Sequence, residues 1–192
     1  MIEELYYLRS QLGHDVGLVI MGEPTRNEGD DYLQQLRQMV ARLGLQNHAH
    51  FRGFRVNPAV FYQAINVFVL ASENETYGMV TLEAMAAGVP IVAAATGGTV
   101  ELVRHNHTGL LYLLRDVAAC ARAIRRCLAN SAATRERVER AQLECWRYSH
   151  HRQCALTEDV IRALNTALAT LAPPQVVAPV SVNAAFSQAI AQ

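Results

Sequence analysis

The sequence predicts an α/β fold, a parallel sheet with helices on both faces, and two observations predict it. Short apolar runs of strand length alternate with longer stretches whose apolar residues recur near the helical period of about 3.6 residues. The chain has 192 residues, of which 51% are hydrophobic, enough for the core of one such domain and short for two. Strands separated by helices pair in parallel, because a crossover helix returns the chain to the same sheet edge.

Each element follows in order. Leu5, Leu8 and Leu12 line one face of a helix predicted over residues 2–12, and the apolar run Val16–Met21 reads as a buried strand ending at Gly22. Residues 30–43 return to helical spacing through Leu33, Leu36, Val40 and Leu43, and a weak strand follows near His50–Arg52. A helix at 58–65 leads to the strong strand Val67-Phe68-Val69-Leu70. Helix 79–87, strand Ile91–Ala95, a short helix at 99–104 and strand Leu110-Leu111-Tyr112 complete the alternation. From Val117 to about Leu171 the pattern is helical, broken near Asn130-Ser131 and Ser149-His150. Residues 1–171 therefore read as one domain. Residues 172–192, with Pro173-Pro174, Pro179 and many small side chains, read as a flexible tail.

Composition excludes several classes. Seventeen basic residues balance 17 acidic ones, so no global field draws the chain to nucleic acid, and an anionic ligand must be held locally. No apolar run approaches the roughly 20 residues of a membrane span, and Met1-Ile2-Glu3-Glu4 lacks signal-peptide character. The expectation is a cytoplasmic chain, free or peripheral at a membrane. Cys120, Cys127, Cys145 and Cys154 lack metal-ligand spacing and fall in helical segments, where they read as structural thiols. Asn74 and Asn106 begin N-x-T tripeptides, which matter only in a secretory compartment.

The informative stretch is Ser72–Leu111. It starts where strand 67–70 ends, and ligands in open α/β sheets bind outside the carboxyl ends of strands. Tyr77-Gly78 leads into a helix whose first-turn amides lack intrahelical partners and favour a phosphate, and Gly78 lets that backbone approach closely. Glu83 has Met79, Val80, Ala86 and Ala87 as its apolar helical neighbours, so its carboxylate needs a hydrogen-bonding partner. A pair of sugar hydroxyls suits it, since a carboxylate accepts two bonds. Gly97-Gly98 follows the strand Ile91–Ala95 at the same sheet edge and offers a second nest of backbone donors. Taken singly, the bland readings stand beside these: Gly78 as a turn residue, Glu75 as a solvated carboxylate, Glu83 and Glu101 as charges serving a helix dipole.

Together, Glu75 and Glu83 with seven residues between them, the intervening Tyr77-Gly78, the run Glu83-Ala84-Met85-Ala86-Ala87-Gly88-Val89-Pro90, Gly97-Gly98 and Glu101 resemble the retaining GT-B glycosyltransferases of the group 1 or family 4 type. The similarity is specific over about forty residues and looser from Glu3 to roughly Leu171. It implies a Rossmann-like donor-binding domain, the C-terminal half of a GT-B fold. By resemblance, Glu83 holds the ribose hydroxyls and Glu75 faces the donor hexose near its reacting carbon. The backbone of Tyr77, Gly78 and Met79 binds hexose hydroxyls and the distal phosphate, Tyr77 standing where Phe is commoner. Val80 and Thr81 line the same pocket, as do Gly97 and Gly98 opposite. Phe54 and Arg55, in the loop after the weak strand, correspond to family positions that hold the nucleobase. The implied donor is a UDP- or GDP-hexose, with no cofactor and no metal; no Asp-x-Asp pair occurs, and Asp30-Asp31 are adjacent at a helix start.

The departures matter as much. The family's domain begins with a strand and a Gly-rich turn whose Arg and Lys neutralise the donor phosphates, whereas this sequence opens at the following helix. The acceptor half is likewise unaccounted for, so a partner N-terminal domain is expected. In the order 3-2-1-4-5-6 the first strand is central. Its loss predicts one of three outcomes: strands 16–21 and 67–70 close up directly, another segment such as Val176–Val180 fills the gap, or the chain needs a partner. The functional expectation is transfer of a hexose with retention to an unknown acceptor, little of it by this chain alone. A degenerate, non-catalytic nucleotide-sugar-binding or assembly module is the alternative. An epimerase on the same architecture fits Glu75 and Glu83 less well.

Overall fold

A computed structural model describes residues 1–22, 29–53 and 58–170, the side chains of 29, 30 and 168–170 excepted. Two units follow one another, Met1–Ser149 and a second beginning at His150.

In the first unit the order is α1 (Ile2–Ser10), β1 (Leu18–Met21), α2 (Gly29–Arg42), β2 (Ala49–Arg52), α3 (Pro58–Ala64), β3 (Phe68–Leu70), α4 (Met79–Ala86), β4 (Ile91–Ala94), α5 (Thr99–Leu102), β5 (Leu110–Tyr112), α6 (Val117–Leu128) and α7 (Ala132–Cys145), closed by a 3-10 turn at Trp146–Tyr148. Every strand and helix expected here is present, with ends shifted by at most two residues, the usual consequence of fraying and capping. The second unit contains α8 (His150–Thr170), and the breaks expected near Asn130-Ser131 and Ser149-His150 fall at the junctions before α7 and α8. Residues 172–192, read as a tail, lie outside the described residues.

All pairing is parallel. β4 lies between β3 and β5, with Val69 opposite Val92 and Ala93 opposite Leu111, and its four residues Ile91-Val92-Ala93-Ala94 are all buried. Side chains alternate between the faces, as the period of two requires. Phe68, Leu70, Ile91 and Ala93 pack with Tyr62, Leu82, Met85 and Ala141 on one face. Val92, Ala94, Leu110 and Tyr112 pack with Leu8, Cys120, Ala121 and Ile124 on the other. Helices therefore cover both faces. Cys120 and Cys127 are core thiols, and burial pushes the Cys120 thiol up to about 12. Cys154 is exposed on α8, unlike the structural thiol expected there.

The sheet is interrupted. Among the described residues β1 pairs only with β2, and β3 pairs with β4, giving two separate sheets. Direct closure of β1 onto β3, one of the three expected outcomes, does not occur, and the residues before Val16 form a helix rather than a strand. A groove of about 1140 Å³ runs between the two edges, lined by Val16–Met21 on one side and Val67–Ser72 on the other. The Leu18 amide donates to His48 O and the Phe68 amide to Pro90 O, so these residues face their paired neighbours. By alternation, the peptide groups of Val19, Met21, Val67 and Val69 face the groove. The segment 176–180 lies outside the described residues.

Candidate functional site

The site grows from the carboxyl ends of β3 and β4. Ser72–Gly78 leaves β3, and Ala95–Gly98 leaves β4, so two loops meet at one sheet edge. They are tied by backbone contact: the Gly98 amide donates to Glu75 O at 2.8 Å, and Thr96 Oγ1 donates to Ser72 O at 2.8 Å. That closeness demands glycine. A Cβ on Gly97, where φ is +47°, would overlap the Glu75 carbonyl oxygen, and one on Gly98 would overlap that of Thr76.

The Glu75 side chain turns back on its own loop. Its Oε1 accepts the Gly78 amide at 2.9 Å, so it is a half-buried acceptor at the start of α4 rather than a solvated charge. Gly78 caps α4 in the left-handed region, φ 76°. A side chain there would also press on Leu102 Cδ1 at 2.7 Å. Thr81 and Leu82 donate to the Gly78 carbonyl, while the amides of Met79 and Val80 have no backbone partner among the described residues. Tyr77, Met79 and Val80 expose their side chains at this end. Free amides, an exposed rim and the positive end of a helix make a place for an anion.

Glu83 stands one turn further along, about 6 Å up the axis from Met79 at the helical rise. It is half-buried, on a helix that sinks Thr81, Leu82, Ala84 and Met85 into the core. Its Oε2 accepts a hydrogen bond from the Tyr62 hydroxyl at 2.9 Å. Thr81 faces inward, fully buried, and its Oγ1 has no hydrogen-bond partner among the described residues. Glu101 lies exposed on α5.

The structure thus brings Glu75, Tyr77, Gly78, Met79, Val80, Gly97 and Gly98 to one sheet edge, with Glu83 behind them on α4. Phe54 and Arg55 fall outside the described residues. Three residues went unread in the sequence. Tyr62 supports Glu83; Thr96 laces the loops together; Arg115, in the left-handed region at φ 69°, pairs with Glu73 at 2.9 Å across the mouth. Tyr62 left one signal, a tyrosine on a helix against apolar strands, whose hydroxyl must find a partner once buried. No group of three or more His, Cys, Asp or Glu that could hold a metal occurs among the described residues.

Comparison with known proteins places the fold in a family. Residues 1–144 match the family model described as glycosyl transferases group 1. A D-inositol 3-phosphate glycosyltransferase of Streptomyces coelicolor is 32% identical over 157 residues, which cover 81% of this chain and 34% of the relative. One of the same name from Geodermatophilus obscurus is 40% identical over 116 residues, covering 57% and 25%. Among solved structures, HepE from Anabaena, crystallised with UDP and with UDP-glucose, superposes with a TM-score of 0.74 at 28% identity, over 86% of this chain and 44% of that one. Sucrose-phosphate synthase from Thermosynechococcus elongatus gives 0.72 at 30% identity, over 86% and 42%. The chain spans about a third of the length of the first of these curated relatives and less than half of either structure. With the family model matched over most of the chain and a parallel-sheet core shared with GT-B glycosyltransferases, this chain belongs to the group 1 glycosyl transferases.

Proposed function

We propose that this chain is the donor-binding half of a retaining hexosyltransferase, taking a hexose from UDP- or GDP-hexose to an acceptor bound by polypeptide outside this chain. One observation carries the reading: a carboxylate, Glu83, sits one helical turn behind an N-terminus whose exposed amides and flanking glycines face the carboxyl edge of the sheet. A nucleoside diphosphate sugar has the matching pattern, a ribose diol beside a diphosphate.

In this reading the ribose hydroxyls donate to Glu83. The diphosphate lies at the start of α4, where the Met79 and Val80 amides and the helix dipole meet its charge. The hexose reaches toward Tyr77 and Glu75, with Val80, Gly97 and Gly98 shaping the pocket and Thr81 buried behind it, not lining it as the resemblance implied. Transfer breaks the bond between the anomeric carbon and the departing diphosphate and forms one to an acceptor hydroxyl on the same face, whose proton passes to a phosphate oxygen. Stabilising the departing diphosphate is the main electrostatic task, and α4 begins it without a divalent metal. Nucleobase contacts fall to Phe54 and Arg55 by family resemblance. A strand supplied with the remaining polypeptide fills the groove between β1 and β3, and the chain by itself turns over little.

Calorimetric titration of the chain with UDP- and GDP-hexoses tests this. One of the two binds, EDTA leaves its affinity unchanged, and Glu83→Ala abolishes the heat. Absence of binding by every nucleotide sugar assigns the chain instead to a degenerate assembly module.

A further inference from the structure

We propose that Tyr62 is a positioning residue for the donor ribose, acting through Glu83 and resting on the donor-site reading above. Tyr62 lies on α3, 21 residues before Glu83, and is 3% exposed. Its ring is wedged edge-on between Phe61, at 5.4 Å, and Phe68, at 5.9 Å. The phenol therefore has no freedom to wander. Its hydroxyl stands 2.9 Å from Glu83 Oε2 and 3.1 Å from the Val80 carbonyl. It has one proton, and the charged, nearer acceptor takes the larger share.

The consequence is geometric. A glutamate on a helix surface samples many rotamers, and a ligand that needs one of them must freeze it on binding. The Tyr62 bond removes that freedom beforehand. It occupies one acceptor site of a carboxylate that offers about four, leaving the other oxygen for a ribose diol. The hydroxyl stays a donor, because burial first, then its hydrogen bond to Glu83 and the Glu83 charge, raise its pKa above that of an ordinary phenol. The contact with Val80 O reaches the same first turn of α4 that offers its amides, so one side chain fixes both the carboxylate and the helix start.

The test compares Tyr62→Phe with the wild type in titrations of UDP and GDP, each alongside its 2′,3′-dideoxyribose counterpart. A positioning role weakens the ordinary nucleotide about tenfold, the size of one hydrogen bond to a charged group, and leaves the dideoxy form unchanged. Equal affinity of Tyr62→Phe and wild type for the ordinary nucleotide overturns the proposal, and so does an equal loss for both nucleotides, which marks a packing role. Melting curves of each variant set a temperature at which all are folded. If the wild type binds neither UDP nor GDP, the donor-site reading fails and takes this one with it, an outcome distinct from the other two.

Discussion

At the scale of single residues, the site is made by close approach. Gly98 has an ordinary right-handed backbone, so its need for glycine comes wholly from the Thr76 carbonyl above it. Gly98→Ala forces the two loops apart; the expected cost is about 1–3 kcal/mol in a thermal melt, with loss of nucleotide binding. Gly17→Ala is the control, since its nearest new neighbour would be His48 O at an ordinary 3.5 Å, and neither stability nor binding falls. Glu75 separates two roles. Glu75→Gln keeps an oxygen for the Gly78 amide, so melting temperature and nucleotide affinity hold, whereas Glu75→Ala lowers both. A fall in the Gln variant as large as in the Ala variant would show that the charge, not the acceptor, organises the loop. The pattern Glu75, Tyr77-Gly78, Glu83 was legible in the sequence because its spacing and residue types are rare together. The direction of the Glu75 side chain and the Tyr62 bond were not. Both depend on which loop or helix lies opposite, and local periodicity says nothing of that.

At the scale of elements, type and order were readable while neighbours were not. Val67–Leu70 and Ile91–Ala94 are apolar because both of their faces are covered, and helices at α4, α6 and α7 start where the chain supplies a cap or a glycine. Asp116 accepts the Ala119 amide at 2.8 Å, and Ser131 Oγ accepts that of Thr134 at 3.3 Å. Ser131→Ala removes the second cap, and a chemical denaturation series should show a loss of about 1 kcal/mol. Ile91 on β4 is buried to 1% among Phe68, Met85 and Val103. Ile91→Ala leaves a cavity in the central layer and costs about 2–5 kcal/mol in the same experiment. A smaller loss than that of Ser131→Ala would mean that β4 is not the core of this unit. The period of two assigns each strand residue a face but no neighbour, which is why the separation of β1 from β3 could be expected only from family resemblance.

At the scale of the whole chain, the unit Met1–Ser149 has a complete hydrophobic core beneath β3, β4 and β5 and an open groove beside β1 and β3. Hydrogen exchange reads that difference directly. Amides of Val92 and Ala93, enclosed between paired strands, exchange slowly, while those of Val19, Met21, Val67 and Val69 exchange fast, since their partners lie outside the described sheets. Equal protection at both sets would mean that a further segment already fills the groove. The chain's share of its relatives, about a third of one and less than half of others, places the rest of the catalytic cleft in polypeptide beyond it under the reading given above. The central claim is that the start of α4, with Glu83 behind it, holds a nucleotide sugar. The most direct test is a ¹⁵N-correlated NMR titration with UDP-glucose and a GDP-hexose. The account predicts saturable shifts concentrated at Tyr77–Thr81 and Gly97-Gly98 that vanish in Glu83→Ala. No shift with either donor, or saturable shifts confined to α8 or to the opposite sheet edge, would contradict it.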